Sequence, residues 1–152
     1  MNQMNGQIIS LLLQRDLEKL KQELLQYRDE NMIWKIVPGI SNSAGNLCLH
    51  LVGNLNTYIG AELGQTGYIR NRELEFSQKD IPRTELIKKV ENTILVITEA
   101  LHHLPDEALA QEYPLLVLKE KTSTGYFLTH LAVHLGYHLG QINYHRRILE
   151  GA

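Results

Sequence analysis

The chain has 152 residues, of which 43% are hydrophobic and 21% charged, and this fits one globular domain over 1–152 with a real core, burying roughly 68–70% of its unfolded surface. A net charge of −2 gives no basic footprint for nucleic acid. The lone cysteine, Cys48, excludes an internal disulfide and a cysteine-rich zinc site and suits a cytoplasmic location. The amino terminus, MNQMNGQIISLLLQRD, lacks a basic n-region and a small-residue cleavage site, and no apolar run reaches the roughly 18 residues of a membrane span. Neither a signal peptide nor a membrane partner is expected.

In chain order, Ile9, Leu13, Leu17, Leu20, Leu24 and Tyr27 recur at steps of three and four, which predicts a helix over 5–30 with one buried stripe. The segment around Pro38 and Gly39 reads as a connection that tucks Trp34 and Ile36 against the core. Ser43 suits the N-cap of a second helix over 44–63, carried by Leu47, Leu51, Leu55, Tyr58 and Ile59 and ended by Gly64 and Gly67. Pro82 suits the first position of a third helix through Leu86, Val90, Ile94, Ile97 and Leu101, which must stop before Pro105. Residues 105–122 read as a long irregular connection with room for one brief strand. Thr122 or Ser123 then caps a fourth helix through Leu128, Leu131, Leu135, Leu139, Ile142 and Leu149. The expected fold is therefore all-α, a four-helix bundle with long connections after the first and third helices.

Seven histidines are more than such a chain usually carries. Four of them, His130, His134, His138 and His145, share the fourth helix with Gln141 and fall within an arc of about 80° on the face away from Gly136 and Gly140. Two imidazoles at i and i+4 can share a metal ion whose other ligands come from a second element, and the second helix offers His50 on its inward face beside Asn54 and Tyr58. An inward histidine is also a common core residue bonded to a carbonyl or carboxylate. Several such rings together tip the balance toward a metal, because their donors and acceptors are otherwise hard to satisfy. Neutral nitrogens without a carboxylate suit zinc, nickel or iron as the divalent transition metal.

The pairing of HLVGN on one helix with HLGYHLGQI on a later one resembles the DinB-like superfamily of metal-binding four-helix bundles. The segment NSAGNLCLHLVGNL followed by RNRELEF is similar to a bacterial subgroup of that superfamily with unknown function. The resemblance spans nearly the whole chain, with Tyr58 standing where relatives often carry Trp. It implies His50, His134 and His138 as metal ligands, and it places His130 at a position often held by His outside the usual three. Relatives with known activity are thiol-dependent enzymes, bacillithiol transferases and a mycothiol-dependent isomerase. The resemblance thus implies a low-molecular-weight thiol as co-substrate and a small electrophile as substrate. It does not by itself transfer a reaction.

Three functions stay open at this point: a metal-dependent thiol S-transferase, a non-catalytic bundle whose metal is structural, and a metal-dependent hydrolase. A fourth histidine in the shell, such as His130, favours the structural site. Arg70 and Arg72 either grip an anionic substrate or pair with Glu73 and Glu75. Gln141 either orients a ligand or bonds a neighbouring helix, and Asn54 has the same two roles open to it. Cys48, about 200° round the helix from His50, reads as a small buried apolar residue. His102 and His103 read as surface residues at a helix end, and Tyr144, His145, Arg146 and Arg147 as a solvated basic end. Gly53, Asn56 and Gly60 on the second helix and Gly136 and Gly140 on the fourth suggest smooth faces through which two chains associate as a homodimer.

Overall fold

The computed structural model describes residues 4–151, and the all-helical expectation holds for them. The long helices are α1 (Met4–Gln26), α2 (Ala44–Leu55), α5 (Arg83–His102) and α7 (Thr124–Glu150). Helix α2 runs on through a π-helical turn, Asn56–Ala61, into α3 (Glu62–Gly64); α4 (Arg72–Ser77) and α6 (Asp106–Leu109) are short. Helix α1 packs on α5 and α7, and α2 packs on the same two. Leu13, Leu17, Leu20 and Leu24 are fully buried along α1, each contributing about 1.5–3 kcal/mol by leaving water. Among the described residues, no helix is long and apolar enough to cross a membrane.

The ends of these helices follow from local chemistry. Ser43 and Ser123 cap α2 and α7, their hydroxyls accepting from the Asn46 and Tyr126 amides. Helix α1 stops at Gln26, short of the expected residue 30, and a 3-10 turn at Glu30–Trp34 follows. The open carbonyls of Leu24 and Tyr27 are taken by the Arg83 guanidinium at 3.2 and 2.6 Å, so a cation from α5 closes α1. The left-handed residue directly after α3 is Gln65, and Gly67 follows with φ 76°. Pro82 is the residue just before α5 rather than its first helical position.

Two expectations about the connections, the place of Ile36 and a strand in 105–122, need correction. Ile33, not Ile36, joins Trp34 in the core, because the 3-10 turn reverses the side chains and leaves Ile36 43% exposed. Pro38 and Gly39 form a tight turn closed by the Ile40 amide on the Val37 carbonyl, with Gly39 at φ 92°, a conformation glycine alone adopts freely. No strand forms among the described residues in 105–122. The acidic first turn at Asp106 and Glu107 starts α6 instead, and the loop closes through one isolated bridge between Glu112 and Ser123. Tyr113, fully buried, anchors that loop by donating its hydroxyl to the Tyr58 carbonyl in the π turn at 2.6 Å.

Helix α2 is the inner element, with every residue from Ala44 to Leu55 buried. Its glycines are therefore spent within the chain, which corrects the reading of Gly53 and Gly60 as an outer smooth face. A Cβ on Gly60 would stand 2.9 Å from Val96 of α5, and one on Gly53 would overlap the Glu75 carboxylate. On α7, Gly140 is exposed with nothing within 4 Å of such a Cβ.

Candidate metal centre

A buried α2 delivers His50 to the interior at 7% exposure, and α7 presents His134 and His138 one turn apart toward it. The three rings meet nearly edge to face, His134 at 88° to His138 and His50 at 90° to His138. His134 Nε2 lies 3.3 Å from His50 Nε2 and 3.2 Å from His138 Nε2. All three residues offer a nitrogen within 4.8 Å of the others, and no other group of His, Cys, Asp or Glu among the described residues could share an ion in this way.

The outer nitrogens decide what these inner ones can do. His138 Nδ1 lies 2.7 Å from Gln141 Oε1, and an amide oxygen only accepts, so Nδ1 carries the proton and Nε2 a lone pair. His50 Nδ1 donates to Glu75 Oε1 at 3.1 Å, which again leaves Nε2 with a lone pair. The Arg70 guanidinium also approaches His50 Nδ1, at 3.4 Å, but its Nη2 is spent on Glu75 Oε1 at 2.9 Å. Burial pushes the Glu75 carboxyl up, yet the hydrogen bonds from His50 and Arg70 outweigh it and hold the group below the usual carboxylate range. Glu75 is thus an anion at neutral pH and can only accept.

His134 differs from its neighbours. Its Nδ1 is buried with no hydrogen-bond partner. Burial, and then the positive charge that His138, His50, His130 and Arg70 can carry, lower its pKa to about 4. His138 is lowered too, by burial first, with the Gln141 bond opposing. Both rings are neutral at pH 7. One proton on His134 Nε2 can serve only one of the two lone pairs facing it, so protons alone leave the cluster unsatisfied. A cation accepting three lone pairs satisfies it. Tetrahedral zinc with Zn–N of about 2.0–2.1 Å needs nitrogens about 3.3–3.4 Å apart, close to the two separations here. The residues fit such an ion.

The other candidates fall elsewhere. His130 stacks on His134 with centroids 6.3 Å apart and on Phe127, outside the cluster. His145 ties three elements together, Nε2 donating to the Lys35 carbonyl at 2.8 Å and Nδ1 accepting from the Tyr27 hydroxyl at 2.6 Å. Arg146 is buried on Glu23 at 2.7 Å and His145 is buried too, so of the solvated basic end expected there only Tyr144 and Arg147 are exposed. Cys48 is fully buried, and burial pushes its thiol up to about 12. Asn54 is buried with no partner for Oδ1. Arg72 lies over the Phe76 ring, and His102 and His103 are exposed. The sequence pointed to Gln141 as an orienting group but gave Glu75 only an ion pair with arginine, not a bond to His50.

A cleft borders the cluster at His138. It holds about 520 Å³ and is bordered by His138 and Gln141 on one side and by residues 37–42 on the other, and its lining includes no Asp, Glu, Lys or Arg. A comparison with curated proteins finds no significant match. The sequence model of a family described as proteins of unknown function, DUF1572, matches residues 8–152, nearly the whole chain, and the protein belongs to that family.

Proposed function

We propose that the protein is a metal-dependent enzyme of the DinB-like four-helix-bundle kind, in which His50, His134 and His138 hold one divalent transition-metal ion, zinc, nickel or iron. The observation that carries this reading is the convergence of three Nε2 atoms, with the outer nitrogens of His50 and His138 held by Glu75 and Gln141. Such outer partners are the usual companions of ligating histidines. A bound ion supplies Lewis acidity that keeps a thiol or water deprotonated near neutral pH. The chain's part is to hold three neutral donors on two helices, with one of them, His138, lining the cleft. Because the cleft lining carries no charged side chain, its fitting occupant is an uncharged small electrophile. Arg70 is committed to Glu75, so it is not the grip for an anionic substrate.

The reaction assigned is thiol S-transfer: the sulfur forms a bond to an electrophilic carbon as the leaving group departs with its electron pair, and the thiol proton goes to solvent. The absence of a carboxylate in the cleft lining argues against a hydrolase that needs a general base there. Self-association through the open face of α7 at Gly140 belongs to the same reading, and light scattering at tens of micromolar decides it.

Elemental analysis of protein purified without an affinity tag should find about one ion per chain, lost in His50→Ala and His134→Ala. The loaded protein should conjugate glutathione, bacillithiol, mycothiol or cysteine to chlorodinitrobenzene, with chloride leaving, and His138→Ala should abolish the gain over solution. Full metal load in both alanine variants refutes the site. Full load without turnover on any thiol leaves the non-catalytic bundle.

A further inference from the structure

We propose that Arg70 and Glu75 form one positioning unit for His50, a carboxylate clamp that fixes the imidazole tautomer and aims its Nε2 lone pair into the centre. The inference rests on the reading of His50 as a metal ligand.

The chain between α3 and α5 crosses back over α2, and its construction serves one side chain. Asn71 caps α4 by accepting from the Leu74 amide. The Asn46 side chain, one turn before His50 on α2, donates to the carbonyls of Glu75 and Gln78 at 2.9 and 2.8 Å. The backbone of Glu75 is thereby pinned to the helix that carries His50. Its carboxylate then sits over Gly53, where any Cβ would overlap it. Gly53 lies inside a regular helix, so its backbone conformation does not call for glycine. The missing side chain is what makes room.

Arg70 grips the carboxylate as a fork, Nε on Oε2 at 2.8 Å and Nη2 on Oε1 at 2.9 Å. Glu75 is 5% exposed, and a buried ion pair is weak evidence for stability because desolvation offsets the Coulomb gain. A loop that needed only anchoring would do as well with apolar side chains. What the pair adds is the bond to His50 Nδ1 at 3.1 Å, which holds the proton on that nitrogen and raises the donor strength of the other. Arg70 also occupies both carboxylate oxygens, so Glu75 stands behind His50 as an acceptor and is not among the three clustered donors.

The test compares wild type with the double variant Arg70→Met/Glu75→Leu, which removes both charges together so that neither is left unpaired, and with Gly53→Ala, which keeps His50, Arg70 and Glu75 in the chain while its Cβ displaces the carboxylate. Zinc affinity is measured by chelator competition on folded protein, and the His50 tautomer by long-range ¹H–¹⁵N NMR. Both variants should lose about 10- to 100-fold in affinity, and His50 should lose its fixed Nδ1–H form. Glu73→Gln, an exposed neighbour on α4, should bind zinc as wild type does. Affinity within twofold of wild type in the folded double variant overturns the proposal, as does an unchanged tautomer. If the double variant fails to fold, Gly53→Ala carries the decision on the same two readings. Wild type that binds no zinc more tightly than His50→Ala marks failure of the metal reading itself, a result distinct from either.

Discussion

Lowering the pH on metal-free protein should expose the cost of burying His134. Its pKa falls from 6.5 to about 4 on folding because burial, then neighbouring positive charge, disfavours the protonated ring. Between those values the unfolded chain binds the proton and the folded chain does not, so stability is full above pH 6.5 and is lost as pH falls toward 4. The full interval corresponds to roughly 3 kcal/mol at about 1.4 kcal/mol per pH unit. At pH 5 the loss is about 2 kcal/mol, an upper value because the ring is half-buried and solvent screens part of the effect. His138 and His145, lowered by burial as well, push in the same direction. Urea unfolding in chelator at pH 7.5 and pH 5, on wild type and His134→Gln, measures the contribution. The wild type should lose more than the variant over that interval, by at most about 2 kcal/mol. Equal losses would show that His134 is not held neutral by its surroundings, and the argument for a ready lone pair at that position would fall.

Other perturbations test separate parts of the structure. Leu17→Ala, at a fully buried position of α1, should cost about 2–5 kcal/mol in urea unfolding, and a cost under about 1 would contradict the packing. His130→Ala should leave the metal content within error of wild type, whereas its loss would indicate a four-ligand structural site. Ile148→Asp places a charge on the cleft wall and should weaken 2-naphthol binding about tenfold by fluorescence titration, with 2-naphthalenesulfonate binding weakly to both proteins. Tighter binding of the sulfonate to wild type would refute the uncharged-ligand reading.

What the amino-acid order revealed depended on how local the determinant is. The stripe of Leu13, Leu17, Leu20 and Leu24 and the His134/His138 pair are legible because helical period alone puts those residues on one face. His50 on a second helix needed an inward-face argument and a family resemblance. Glu75 was legible as an arginine partner but not as a buried partner of His50, because its burial depends on Asn46 holding a backbone 29 residues away. The clue, available only in hindsight, was a glycine at position 53 on the same inner helix. The π turn at Asn56–Ala61 was hidden for a related reason. Its Tyr58 carbonyl is satisfied by Tyr113, 55 residues later, and no pattern within the turn announces that partner.

The short wall made by residues 37–42 has a consequence for how this fold can diversify. That wall contributes to the cleft but supplies none of the three clustered histidines, and Pro38–Gly39 gives it a self-contained turn. The groups that would hold the ion reside on α2, where every position is buried, and on the inward face of α7. Part of the choice of occupant is thus written outside the two helices that would retain the ion, while α7 contributes to both. Exchange of Ile40, Ser41 or Asn42 can retune which molecule enters while His50, His134 and His138 stay untouched, so one scaffold can serve many chemistries with its donor set intact.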